Sequence, residues 1–497
     1  MNTADTQWRQ RAQSLTLPQQ FLVGDRHCAA HSGRTFEIVS PMTGRVFTSL
    51  PAADAIDVDR AVAVARKTFE SGVWSGMPPT ERKKKLVRLA GLIERHRDEL
   101  ALMDTLCMGM PISIASNYCV QWAINCFEWF GEAIDKVYDE VAPTAQSVLA
   151  TITREPIGVV GIVLPWNWPA GLLGWKVPPA LAMGNSVVLK PDEQSSLSAL
   201  RIAALALEAG IPEGVLNVVT GGAAVGEAIG RHEDVDAVAF TGSTQVGKLF
   251  MTYSAQSNMK PVWLECGGKS PNIIFADAPD LQAAAQSAAF GIFINTGQVC
   301  AAGSRLIVEE SVRDEVVAMI ADVSKLFVPA DPLDAQTMLG PIAKAGQLQR
   351  VMGYIAAGQQ EGARLVVGGK RIDEAGGGFY VEPTVFDGVD NEMKIAQEEI
   401  FGPVLAAITF SSTQEAITIA NRSKYGLAGS VWTRDFSKAQ TVARALRAGS
   451  VSINSHAEDA HDVTVPFGGY KQSGFGRDKS LHALGKYAQL KTTWIKL

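Results

Sequence analysis

From residue 158 onward the chain alternates between two patterns. Short apolar, β-branched runs ("GVVGIVLPW", "SVVLK", "VLNVVTG", "VDAVAFTG", "KPVWLECGG") are separated by stretches with apolar residues at helical spacing ("SALRIAALALEAG", "AVGEAIGRH"). Strand and helix alternating at this length predict βαβ units around a parallel sheet. The rhythm continues past 270 with "NIIFAD", "SRLIVEE" and "GPVLAAITF". A chain of 497 residues exceeds what one hydrophobic core usually takes, so two α/β domains are expected. Residues 56–135 keep apolar residues at 3 to 4 spacing and read as helices. Residues 137–157 turn to alternation and read as a hairpin arm, which the tail "YAQLKTTWIKL" can join as a third, strand-rich element.

Several function classes are disfavoured at once. No apolar run reaches the roughly 18 to 20 residues of a membrane helix. The first residues, "MNTADTQWRQRAQSL", show neither the apolar core nor the cleavage site of a secretory leader. Net charge is -6 with both signs interspersed, and "ERKKKL" reads as a solvated helix face rather than a nucleic-acid patch. The six cysteines (Cys28, Cys107, Cys119, Cys126, Cys266 and Cys300) include no C-x-x-C pair. A disulfide scaffold or structural zinc is therefore not expected, and reduced thiols in a cytoplasm are.

The motifs carry more. G-x-G-x-x-G is absent, and "GSTQVGKL" resembles a P-loop except that Leu249 stands where a hydroxyl must hold magnesium. What remains there is a strand end, a turn at Gly242, and a helix opened by Ser243, whose free N–H groups favour a pyrophosphate. In "LKPDEQ", Lys190 and Glu193 leave a strand at its carboxyl end, where open α/β sheets bind ligands. A carboxylate there accepts ribose hydroxyls and repels a ribose phosphate; a surface ion pair is the alternative. Asn167 in "LPWNWP" is either a turn-former or an oxyanion donor. Glu265 in "LECGGKSP" is either a loop acid or a general base, and its two glycines permit close approach of a ligand. Cys300 in "NTGQVCAAGSR" is a small buried thiol or a nucleophile. The tract "HAEDAHD" lacks the spacing of a metal site, and none is expected.

Taken in order, "PWNWP", "LKPDE", "FTGSTQVGK", "LECGGKS", "GQVC", "EEIFGPV", "YGLAGSVWTRD" and "PFGGYKQSGFGR" resemble the NAD(P)-dependent aldehyde dehydrogenase superfamily over nearly the whole chain. The tail looks most like the bacterial branch acting on γ-glutamyl-γ-aminobutyraldehyde and related ω-amino or guanidino aldehydes. The resemblance implies an α/β fold with a Rossmann-like cofactor domain (1–136 and 157–266), a catalytic domain (267–477) and an oligomerisation arm (137–156 and 478–497). It implies Cys300 as nucleophile, with Asn167 and the Cys300 N–H holding the oxyanion. Gly297, Ala301 and Gly303 would leave room for a nicotinamide ring beside the carbonyl. Glu265 would activate water, with Lys176 and Asp478 relaying protons; Asp478 is more often Glu in relatives. Glu399 and Phe401 match contacts to the nicotinamide ribose, Lys190 and Glu193 the adenine ribose, and Trp166, Gly242 and Ser243 complete the cofactor set. NAD is the expected cofactor, with NADP possible.

The same resemblance places Trp122, Trp168, Trp175 and Phe467 in the substrate tunnel, whose aromatic walls suit a flat substrate or a cation over a ring face. Glu458, Asp459 and Asp462 at its mouth either attract an amine or only solvate a loop. Cys266 is expected to pack as a small hydrophobe near Cys300. The implied protein is a homotetramer or homodimer. Alternatives are an aromatic aldehyde such as phenylacetaldehyde or indole-3-acetaldehyde as substrate, or a non-catalytic protein that keeps the fold.

Overall fold

The computed structural model describes residues 3–372, 376–456 and 462–497. Its first sheet has eight strands. Five form the parallel centre, in the spatial order Leu216–Val218, Ser186–Lys190, Val159–Val163, Ala237–Thr241, Val262–Glu265. Numbered along the chain, that order is 3-2-1-4-5, the doubly wound arrangement. The topology reverses between Val159–Val163 and Ala237–Thr241, so the crevice at their carboxyl ends is the expected ligand site. Antiparallel strands close both edges: Phe21–Val23 with Arg26–Cys28 on one side, and Gly474–Phe475 against Val262–Glu265 on the other.

These strands are buried end to end, which is why they read as continuous apolar runs rather than alternation. The helices that cover them follow local signals. Ala55–Glu70 starts at a capping box formed by Asp54 and Asp57. Pro169–Ala182 carries proline at its first position and is buried along its whole length. Within the helical region 56–135, His96 separates Pro79–Arg95 from Arg97–Met108.

A seven-stranded second sheet follows. Its centre is Val404–Phe410, Arg305–Glu309, Pro271–Ile274 and Ala428–Trp432, all parallel. Residues 266–270 link the last parallel strand of the first sheet directly to Pro271–Ile274. The carboxyl edge of one sheet therefore faces the amino edge of the next. The third sheet has three strands, with Val148–Pro156 paired antiparallel to Ala488–Lys496 over its whole length and to Glu140–Val141. Among the described residues, no helix is long and apolar enough to cross a membrane.

Candidate active site

A cavity of about 540 Å³ opens at the reversal point of the first sheet. Two turns leave that edge side by side. One carries Trp166, Asn167 and Trp168; the other carries Gly242 and Ser243. The far wall comes from the second sheet and bears Cys300, Glu399 and Phe401. Glu265 reaches the cavity from the end of its own strand.

The nucleophile candidate sits on an unusual backbone. Asn295, Thr296 and Gly297 all have positive φ, at 49°, 57° and 69°. Left-handed conformation is costly for the first two, so the surroundings must impose it. Three bonds do this: Asn295 Nδ2 donates to the Asn167 carbonyl at 2.8 Å, Thr296 Oγ1 to the Gly340 carbonyl at 2.9 Å, and the Ala343 N–H to Gln298 Oε1 at 2.9 Å. Asn167 Nδ2 in turn donates to the Gln298 carbonyl at 2.8 Å. An amide carries two hydrogens, so Asn167 keeps one for the cavity it lines.

Two expectations about glycine change. Gly267 lines the cavity, and both Gly267 and Gly268 also give room to the second sheet. A Cβ on Gly267 would lie 2.2 Å from Glu399 Oε2, and one on Gly268 would lie 2.4 Å from the Cys300 carbonyl oxygen. Gly297 and Gly303 also yield to protein rather than to a ring. Their Cβ atoms would meet the Gly402 carbonyl at 2.1 Å and the His456 ring at 2.8 Å. Ala301 does line the cavity.

The carboxylates are strongly perturbed. Glu265 is 4% exposed, and its Oε1 has no hydrogen-bond partner among the described residues. Burial, aided by the Asp478 charge, raises its pKa to about 8. Glu399 is raised by burial to about 7 although the Gly268 N–H donates to it at 3.1 Å. Burial also pushes the Cys300 thiol up, and the Glu265 and Glu399 charges add to it. Cys266 packs on Gly247, and burial raises its thiol to about 12.

Lys176 does not line the cavity. It is fully buried behind it, with its Nζ 2.7 Å from Asp478 Oδ2. Lys190 and Glu193 are also outside the cavity around Cys300, one strand further from the reversal point, with Nζ and Oε2 3.4 Å apart. Burial raises the Glu193 carboxyl, but Lys190 and Lys344 outweigh it and the net shift is downward.

The four expected tunnel aromatics form one chain. Ring centroids are 4.6 Å apart for Trp122 and Trp168, 5.9 Å for Trp122 and Trp175, and 5.0 Å for Trp175 and Phe467. Trp166 meets Phe401 edge-on at 5.3 Å. The rings already carry an internal cation, since Lys479 Nζ lies 5.2 Å from Trp175 and 5.5 Å from Phe467. Asp462 does not line the cavity; its side chain accepts from Thr464. Glu458 and Asp459 lie outside the described residues. His456 is buried, with Nδ1 3.0 Å from Ser430 Oγ; residues 457–461 of the same tract lie outside the described residues. Lys248, from the near P-loop, lines the cavity wall. Sequence reasoning missed two further cations there, Arg350 and Lys424, and it missed Lys486 behind the wall. None of these three belongs to a pattern that marks charge for a ligand.

NAD suits this set of donors. Ser243 caps the helix Thr244–Ala255, and the first-turn N–H groups of that helix have no intrahelical acceptor. Thr241 Oγ1 and Glu265 Oε1 are buried at the wall with no partner among the described residues. Glu399 would offer a carboxylate to a ribose diol, and Lys248, Arg350 and Lys424 line the same cavity.

The aldehyde dehydrogenase family model matches residues 27–493. The chain belongs to the aldehyde dehydrogenase family. It is 48% identical over 491 residues to the NADP/NAD-dependent aldehyde dehydrogenase PuuC of Escherichia coli K12, covering 99% of this chain and 98% of that one. The indole-3-acetaldehyde dehydrogenase AldA of P. syringae, solved with NAD+ and IAA, superposes with a TM-score of 0.98 at 54% identity over all of both chains. The γ-glutamyl-γ-aminobutyraldehyde dehydrogenase of Burkholderia cenocepacia gives a TM-score of 0.98 at 51% identity, over 99% of each chain. These aldehyde dehydrogenases share the architecture described above, and the chain is an enzyme of their kind.

Proposed function

We propose that this aldehyde dehydrogenase oxidises an ω-amino, guanidino or γ-glutamylamino aldehyde of polyamine breakdown to the acid, with NAD as cofactor. The observation that carries the chemistry is the convergence on one cavity of Cys300, Asn167 and a buried Glu265 whose Oε1 has no partner among the described residues. Glu399, Phe401, Trp166, Gly242 and Ser243 would hold the cofactor, and Lys190 with Glu193 its far ribose. Bound NAD supplies a hydride acceptor. Cys300 loses its proton to water in the open cavity and adds as thiolate to the aldehyde carbon, and the free hydrogen of Asn167 Nδ2 stabilises the oxygen. Oxidation of that adduct leaves a thioester on Cys300. Glu265, once ionised, takes a proton from water, and the hydroxide releases the acid. Lys176 and Asp478 stand behind Glu265 to pass that proton on.

The relatives PuuC and the Burkholderia enzyme support the amino-aldehyde reading. A second reading, an aromatic aldehyde, is favoured by the continuous wall of Trp122, Trp168, Trp175 and Phe467 and by the likeness to AldA. NADH formation across 3-aminopropanal, 4-guanidinobutyraldehyde, a γ-glutamylated aminobutyraldehyde, phenylacetaldehyde, indole-3-acetaldehyde and hexanal decides between them. A lead of about tenfold in kcat/KM, about 1.4 kcal/mol, identifies the preferred class. Cys300→Ala abolishes NADH formation with every aldehyde; full turnover in that variant would remove the mechanism. We assign the division into cofactor, catalytic and arm regions on the three sheets, and a homotetramer or homodimer built through the arm. Exposed Leu490 and Trp494 on the arm support that assembly. A cytoplasmic location agrees with six free thiols.

A further inference from the structure

Behind Glu265 lies a closed group of charges. Asp478 is 2% exposed and is held from both sides: Lys176 Nζ approaches Oδ2 at 2.7 Å and Lys486 Nζ makes a short contact to Oδ1. Lys176 is 1% exposed and Lys486 5%. The group is tied to the strand that bears Glu265. The Lys486 carbonyl accepts from Trp263 Nε1 at 3.2 Å, and Gly474–Phe475, which leads into Asp478, pairs with Leu264 and Glu265.

Count the charges. Lys176 and Lys486 contribute two positive charges and Asp478 one negative. With Lys486 charged, the buried group is balanced only when Glu265 is ionised. Without Lys486, ionising Glu265 would leave a net negative charge in a dry interior, which is costly. The other charged or titratable groups facing this cluster are few. Arg477 is half-buried, donates to the Gly469 and Gly476 carbonyls, and favours ionised Glu265. Lys479 stands over Trp175 and Phe467. Tyr487 packs under Lys486 at 5.3 Å, and Cys126, Cys266 and Cys300 are thiols that burial holds protonated.

We propose that Lys486 is a positioning residue for the hydrolytic step, supplying through Asp478 the second positive charge that lets Glu265 give up its proton to the buried relay. The proposal rests on the reading of Glu265 as the base. Lys486 touches neither substrate nor cofactor. It acts through Asp478, whose carboxylate is gripped by both ammonium groups. Burial lowers the Lys486 ammonium to about 8, and the Asp478 carboxylate opposes that fall and helps to hold the charge.

The test is the pH profile of steady-state turnover, measured after the first NADH burst on the full-length protein. Turnover in the wild type rises with pH as Glu265 ionises. Lys486→Met moves that rise upward by on the order of one pH unit, and Asp478→Asn moves it downward. Lys486→Arg keeps the wild-type position, and the Lys486→Met/Asp478→Asn double variant returns toward it. The Michaelis constants for aldehyde and NAD stay within about twofold throughout. Where Lys486→Met does not fold, Lys486→Gln replaces it. A rise that stays in place while turnover falls, or that moves the same way in Lys486→Met and Asp478→Asn, overturns the proposal. Glu265→Gln is the control for the underlying reading. If it turns over with the wild-type profile, Glu265 is not the base, and the error lies there rather than in the charge count.

Discussion

Replacing Glu265 by glutamine should stop turnover and stabilise the protein, and the size of the second effect follows from the site. The Glu265 carboxyl moves from an ordinary 4.5 to about 8 on folding. A carboxyl raised on folding costs stability. The cost is absent below 4.5, grows between 4.5 and 8, and is complete above 8. At 1.36 kcal/mol per unit it is about 1 kcal/mol at pH 5.5 and about 5 kcal/mol at pH 8.5. Glutamine keeps the shape and never ionises. For a chain of 497 residues unfolding as one unit, the entropy of unfolding is about 1 kcal/mol per degree. Glu265→Gln should therefore raise Tm by about 1 °C at pH 5.5 and about 5 °C at pH 8.5. The assay is thermal unfolding of both proteins at the two pH values, beside a stopped-flow record of NADH. The variant should release about one NADH per subunit and then stall, because the thioester forms and is not hydrolysed. A Tm gain equal at both pH values, or a less stable variant at pH 8.5, would refute the argument that a buried carboxylate is held against its own solvation.

Other variants test other parts. Gly267→Ala puts a methyl group 2.2 Å from Glu399 Oε2 and should raise the KM for NAD by roughly tenfold, about 1.4 kcal/mol, with little change in Tm; an unchanged KM would mean that Glu399 does not hold the cofactor. Glu193→Ala should narrow the preference for NAD over NADP by roughly tenfold or less, because the carboxylate is partly solvated and faces Lys190. An unaltered ratio of kcat/KM for the two cofactors would take Glu193 out of that role. Leu490→Glu with Trp494→Glu should lower the mass found by light scattering, since both side chains stand exposed on the arm; a wild-type mass would place the assembly surface elsewhere.

Much of this was legible in the sequence because buried parallel strands write themselves as apolar runs. The strands around 160, 188, 239 and 263 stand where those runs stand. Motif order placed Cys300, Glu265 and Asn167 near one another, and the cavity gathers them. The failures share a cause. Gly267, Gly268, Gly297 and Gly303 read as gaps for a ligand, but a glycine does not say which neighbour needs the space, and here the neighbours are protein atoms. Lys486 was invisible because a lysine in "LHALGKYAQ" looks like any surface lysine until the fold buries it against Asp478. Asp462 read either as a charge at the mouth or as a solvating loop acid, and its Oδ1 accepts from Thr464 outside the cavity lining.

The short link at 266–270 has a consequence for anyone who recombines this protein with its relatives. The seam between the two sheets runs through the proposed site rather than beside it. Glu265 and Asn167 come from one side of it, Cys300 and Glu399 from the other, and glycines at 267 and 268 set the clearance between the halves. A chimera joined at this seam would be spliced inside its own active site. Each half would have to bring a partner whose side chains were cut to the same gap, so natural variation should travel in blocks that keep 267 with 399 and 268 with 300. Joins placed in exposed loops well away from the seam would leave that fit intact.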